Sequence, residues 1–248
     1  LLTHTSGLES GNLGNRVGAR LAPRDVTKTL ADQVPNLARV PLDFQPGSQW
    51  TYSLLAGMDT LSRIVEIASG QTYDQFLKQR VFGPLGMNDT GFFVPADKTV
   101  RIAGLYNRTP KGIEKGDTPS WLATTTFFSG GGGLSSTATD YARFLQLFLN
   151  GGELDGVRLV GRKTVELMLT NQVYSMWPKF GLGFGLETVE NDSRTPLSAG
   201  SFEWGGAFNT TYWADPKERL IALVFTNTWG GTVALGDPFK TFVYSALR

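Results

Sequence analysis

The sequence predicts an α+β fold in which a mainly helical region with long loops, residues 1–175, and a C-terminal part, 176–248, of antiparallel strands and a terminal helix form one interdependent unit. Apolar residues recur at helical spacing in several stretches of the first part. After about residue 180 the chain turns to glycine-punctuated segments rich in aromatic and β-branched residues. It closes on Phe239, Phe242, Val243, Ala246 and Leu247, an apolar stripe that predicts a helix lying on a sheet.

Taken in order, residues 9–43 are rich in Gly, Asn, Arg and Pro and read as a long surface excursion with a short helix over Asp25–Gln33. Leu61, Ile64, Val65 and Ala68 set out a helix that stops at Gly70, a residue suited to a C-terminal cap. A second helix covers Tyr73–Val81 and is ended by Gly83-Pro84. Ala138, Tyr141, Phe144, Leu145 and Phe148 repeat at three and four, with Thr137 and Asp140 as a helix-starting box and Asn150-Gly151-Gly152 as the stop. Arg162–Asn171 is one more helix. Strands follow at Leu182–Val189, Phe208–Ala214 and Arg219–Thr226, the last two joined by the tight turn Asp215–Glu218 as an antiparallel hairpin.

Composition removes several function classes. Lys and Arg number 23 against 22 Asp and Glu, and no basic run stands out, so the charge footprint of a nucleic-acid binder is missing. Cysteine is absent, which excludes disulfides, a thiolate nucleophile and zinc-thiolate sites. The single histidine, His4, cannot form a two-histidine metal helix and is read as structural. No apolar run reaches the roughly 18 to 20 residues of a membrane helix. No metal or cofactor is expected. The compartment is open, the cytoplasm being the default. Ser129–Gly133 lacks the Lys-Ser/Thr ending of a phosphate loop and reads as a turn entering a helix.

The informative segments are Leu1-Leu2-Thr3-His4-Thr5-Ser6-Gly7-Leu8, Phe44-Gln45-Pro46-Gly47 with Tyr52-Ser53-Leu54, Pro84–Thr90, Gly131–Thr137 and Trp204-Gly205-Gly206. In this order they resemble landmarks of serine hydrolases of the β-lactamase type, a group that includes class C β-lactamases and family VIII carboxylesterases. The resemblance spans positions 1 to about 227. Its Ser-x-x-Lys nucleophile motif has no counterpart in the sequence, which reads as the C-terminal two-thirds of such an enzyme. An N-terminal segment of the same protein is then the missing partner, and the sheet is expected to keep an unpaired edge for it.

The resemblance implies a catalytic role for Tyr52 as general base, working with the lysine of the absent motif. A phenol with a pKa near 10 is only about one part in a thousand ionised at neutral pH, so positive charge must favour its phenolate. It also implies the backbone N–H of Ala207 as half of an oxyanion hole, and Trp204, Gly205 and Gly206 as substrate-binding residues. For Trp204-Gly205-Gly206 the bland alternative is a strand whose glycines mark a bulge. Leu54 stands where the β-lactamase pattern has Asn, and Trp204 where it has Lys. Neither can serve the amide or the carboxylate of a β-lactam, so esters are the expected substrates. The expected function is a carboxylesterase acting on small to medium esters through an acyl-serine. A penicillin-recognising hydrolase, an acyltransferase and a non-catalytic binding protein remain alternatives. Oligomeric state is not legible.

Overall fold

The computed structural model of the chain describes residues 1–117, 126–230 and 235–247. The sequence also places a pocket-shaping loop at 105–128, and its residues 118–125 lie outside the described ones.

The region 9–43 is more ordered than its composition suggests. It holds α1, a ten-residue helix over Asn12–Leu21. The glycines that argue against a helix there allow close approach of carboxylates: a Cβ on Gly14 would lie 2.2 Å from Asp43 Oδ2, and one on Gly18 2.0 Å from Glu9 Oε1. The helix expected over Asp25–Gln33 is shorter, α2 over Leu30–Gln33. Asp25 instead accepts from Thr27 N–H at 2.9 Å and Thr27 Oγ1 at 2.6 Å, a local turn that competes with helix. The helix starts where Thr29 and Asp32 form a reciprocal capping box.

Helix α3, Ala56–Ser69, begins earlier than the apolar spacing indicates and ends at Gly70 in the left-handed conformation, φ 70°. Its buried face is not the predicted stripe. Ala56, Gly57, Asp59 and Ser62 are buried, whereas Ile64 and Ile67 are exposed. The reason is a polar junction: Asp59 pairs with Arg24 at 2.8 Å and accepts from Ser129 Oγ at 2.6 Å. The glycine run that follows Ser129 lies flush on this face, since a Cβ on Gly130 would meet Ser62 Oγ at 2.0 Å. Gly130 and Gly131 thus serve packing against α3.

Helix α4, Tyr73–Leu77, runs into a π-helical turn over Lys78–Phe82. A hairpin of β1 (Tyr106–Thr109) and β2 (Gly112–Lys115) follows. Helix α5, Ala138–Leu149, is capped by Thr137 as expected, but the Asp140 carboxylate turns away from the cap and accepts from Asp89 N–H and Thr90 Oγ1, both at 2.8 Å. The small hairpin β3 (Glu153–Leu154) and β4 (Val157–Arg158) leads to α6, Arg162–Met168, which ends before Asn171.

The main sheet is antiparallel in the order β5 (Gly185–Leu186), β6 (Phe202–Gly205), β7 (Thr211–Asp215), β8 (Leu220–Val224). The strand expected over Leu182–Val189 is reduced to β5, with Gly183 at φ 92° before it and a turn closed by Asn191 Oδ1 on Thr188 after it. Strand β7 starts at Thr211 and not Phe208, because residues 206–210 form the turn out of β6. Strand β8 ends the sheet among the described residues. A short β9, Thr228–Trp229, pairs in parallel with β1.

Phe202, Tyr212 and Ala214 on one sheet face pack with Leu145 and Phe148 of α5 and Val165 of α6, so the core crosses residue 175. The other face carries Trp213 and Ala222 against the terminal helix α7, Gly236–Ser245. The stripe expected of α7 is only partly inward: Phe239 and Val243 pack, while Phe242 and Leu247 are exposed. Tyr244 faces in instead, its hydroxyl donating to the fully buried Asp215 at 2.6 Å.

Candidate active site

The opening octapeptide and the Phe44–Leu54 segment are hydrogen-bonded to each other along their length. Asp43 N–H donates to Gly7 O and Gly47 N–H to Thr5 O, each at 2.8 Å, and Thr51 N–H donates to His4 O at 3.1 Å. Gly7 has φ 74°, and a Cβ there would sit 2.4 Å from Phe44 O, so the contact requires glycine. Ser53 closes the junction. Its Oγ donates to Leu8 O at 2.7 Å and accepts from Gly57 N–H at 3.2 Å, while its N–H donates to His4 Nδ1 at 3.3 Å. Tyr52 is thereby fixed just before α3, with its side chain 37% exposed. Leu54 points outward at 55%.

Trp204 comes from the other half. It sits on β6 opposite Tyr212, on the sheet face that carries the α5 core. Beyond Gly205 the chain turns: Gly206 N–H donates to Thr210 O at 2.9 Å, and Asn209, at φ 59°, donates its N–H to Gly206 O. A Cβ on Gly206 would lie 2.3 Å from Thr210 Oγ1. The glycines mark a hairpin turn, not a bulge within the strand. Ala207 is exposed at the tip, and its N–H has no acceptor among the described residues.

The two halves meet through aromatic rings. Tyr52 and Trp204 have ring centroids 5.5 Å apart, tilted by 54°. His4 lies against both, 4.6 Å from Tyr52 edge-on and 6.1 Å from Trp204 nearly parallel. Phe180 completes the wall, 5.0 Å from Trp204 and 5.3 Å from His4, and Trp50 stands 5.7 Å from Phe180. His4 is 2% exposed, and burial pushes its imidazole down to about 4. It is therefore neutral at neutral pH, and since Nδ1 accepts, the proton is on Nε2.

Of the residues that the resemblance names, Tyr52 and Trp204 are in ring contact, while Gly205 ends β6 and Gly206 and Ala207 lie in the turn beyond it; the rings behind the pair have no place in that reading. Trp50 was within reach, two residues before Tyr52 in the same motif. Phe180 was not, because it precedes β5 in a segment without a motif. A separate cavity of about 360 Å³, lined by Trp177, Glu187, Arg194, Glu203 and Lys240 and bordered by Trp204 and Gly205, does not include Tyr52. Among the described residues no cluster of His, Asp and Glu is arranged to hold a metal ion, and no helix is long and apolar enough to cross a membrane.

Residues 1–242 match the family described as Beta-lactamase. The chain belongs to the beta-lactamase family. Among curated relatives, protein Rv1367c of Mycobacterium tuberculosis is 35% identical over 246 residues, covering 90% of this chain and 60% of the relative. Esterase EstB of Burkholderia gladioli is 30% identical over 257 residues, covering 92% and 64%. The chain thus spans under two thirds of the length of these relatives. The solved structure of EstCE1, described as a hydrolase with promiscuous acyltransferase activity, superposes with a TM-score of 0.79 at 23% identity, covering 98% of this chain and 70% of that one. The fold is that of beta-lactamases and penicillin-binding proteins, α+β as the sequence predicts.

Proposed function

We propose that the full protein is a serine carboxylesterase of the beta-lactamase family, cleaving small to medium esters through an acyl-serine. The observation that carries this reading is the convergence of Tyr52 and Trp204, 5.5 Å apart, with the Ala207 N–H, which has no acceptor among the described residues, in the turn that follows β6. A segment preceding residue 1 in the full protein supplies the serine and lysine of Ser-x-x-Lys, in keeping with the greater length of the relatives. The Tyr52 phenolate, favoured by that lysine, takes the proton of the serine hydroxyl as its oxygen adds to the ester carbonyl. Charge developing on the carbonyl oxygen is met by the Ala207 N–H and by the N–H of the serine itself. The C–O bond to the alcohol then breaks and the phenol returns the proton to the leaving oxygen. Water repeats the sequence on the acyl-serine.

Substrate preference follows from what lines the approach. Leu54 and Trp204 present apolar surface and offer neither an amide nor a cation, which suits an ester and leaves the carboxylate of a β-lactam unpaired. The EstB relative is described as an esterase, which supports the same choice. The EstCE1 description favours, as a second reading, an acyl-enzyme that also passes its acyl group to an alcohol.

The test is the gene-encoded full-length protein assayed on a p-nitrophenyl ester of butyrate, with Tyr52→Phe alongside. Loss of the proton carrier should lower kcat by about 10² to 10⁴-fold. A Tyr52→Phe enzyme as active as the parent would overturn the role of Tyr52. An upstream sequence without Ser-x-x-Lys, together with ligand binding and no turnover, would make the protein a binder.

A further inference from the structure

We infer that His4 is a positioning residue that sets the spacing and orientation of Tyr52 against Trp204; the inference rests on the acyl-transfer reading of that site. Tyr52 and Trp204 come from separate parts of the chain, one ahead of α3 and the other on β6. The ring that touches both is His4, at 4.6 Å and 6.1 Å, and its further neighbours Trp50 and Phe180 are aromatic as well.

An apolar ring would fill such a nest without the desolvation that a buried imidazole suffers. What the imidazole adds is an acceptor. Nδ1 takes the N–H of Ser53, and that N–H belongs to the peptide group directly after Tyr52. The plane of this peptide, and with it the backbone torsion that aims the phenol, is tied to the same ring that stacks on the indole. The partner N–H is buried with Ser53, 1% exposed, so no solvent molecule replaces the acceptor if it is lost. The backbone of His4 is held at φ 55°, a region that non-glycine residues occupy where surrounding structure over-determines it. That structure consists of the bonds from His4 N–H to Leu1 O and from Thr51 N–H to His4 O.

In the full-length protein labelled with ¹⁵N in its imidazole nitrogens, the ring signals of His4, the one histidine of these 248 residues, are those that His4→Asn removes. The expected result at neutral pH is the Nε2–H form, with Nδ1 accepting and cross-relaxation from the imidazole to the rings of both Tyr52 and Trp204. An Nδ1–H form, or no contact to either ring, overturns the inference without any measurement of activity. In the full-length protein, His4→Phe keeps the ring and removes the acceptor, whereas His4→Asn places an amide oxygen near the position of Nδ1 and tolerates positive φ. His4→Phe should lower kcat by about 10 to 100-fold with little change in KM, the scale of a misplaced reacting group, and His4→Asn should restore most of it. An unchanged kcat in His4→Phe, or a loss confined to KM, overturns the inference. An inactive wild type would sink the esterase reading and this one with it. Wild-type activity that Tyr52→Phe abolishes and His4→Phe spares would sink this one alone.

Discussion

The Asp43 carboxylate caps α1 from outside the helix, accepting Gly14 N–H at 2.7 Å across a separation of 29 residues and Ser10 N–H at 2.9 Å. The residue at the cap position itself, Gly11, supplies no side-chain acceptor. A carboxylate at this end also meets the positive pole of the helix. Asp43→Ala should therefore cost about 1 to 2 kcal/mol of unfolding free energy, the range of a lost N-cap, read from urea midpoints at constant slope. Asp43→Asn, which keeps one acceptor, should recover part of the loss. A midpoint unmoved by Asp43→Ala would show that α1 is held by other contacts.

That cap explains what was legible in the sequence. The start of helix α5 is legible because Thr137 and the N–H it accepts are three residues apart, within the reach of a local motif. Helix α1 is not, because its cap is distant and its glycines read as breakers. The buried face of α3 departs from the apolar spacing because Asp59 and Ser62 face inward there, and no hydrophobic period reports an ion pair. In the site, the motifs around Tyr52 and Trp204 were readable by resemblance. Their 5.5 Å approach is flanked by His4 and, on the Trp204 side, by Phe180, rings that meet only after the chain has folded.

Asp59 has a side chain 5% exposed and faces Arg24 and Ser129. Asp59→Ala leaves the guanidinium and the Ser129 hydroxyl without their acceptor. Removing one partner of a buried pair is costly, and because Arg24 is 35% exposed the expected loss is at the lower end, about 3 kcal/mol. Chemical denaturation of the variant measures it. A loss below about 0.5 kcal/mol, the range of ordinary surface substitutions, would refute the structural role given to this junction.

Leu54→Asn separates specificity from stability, since the side chain is 55% exposed. Unfolding free energy should stay within about 0.5 kcal/mol of the parent. In the full-length protein, the ratio of β-lactam to ester turnover should rise by about tenfold, the worth of one hydrogen bond of about 1.4 kcal/mol. A fall in that ratio would mean that Leu54 does not face the substrate.

His4 makes the stability of the fold depend on pH in a predictable direction. Its imidazole titrates at about 4 in the folded chain, against an ordinary value near 6.5, with burial as the main cause. Between these values the unfolded chain binds the proton and the folded chain does not, so unfolding free energy rises with pH. The contribution is complete above pH 6.5, falls as the pH drops toward 4, and then levels off where both states are protonated. The positive amine of Leu1 adds to the displacement, so burial contributes less than the roughly 3 kcal/mol that a fall from 6.5 to about 4 represents at 1.36 kcal/mol per pH unit. Asp89, held down to about 2 by Arg101 and Lys98, loses its ion pairs only at more acid pH and so does not mask this window. Urea titrations of the parent and of His4→Asn at pH 7 and pH 5 provide the check. The parent should lose stability over this interval by more than the variant, which has no imidazole to protonate. Equal losses in the two would mean that His4 titrates alike in the folded and unfolded chains, and that its ring is not buried among the aromatic side chains around Tyr52.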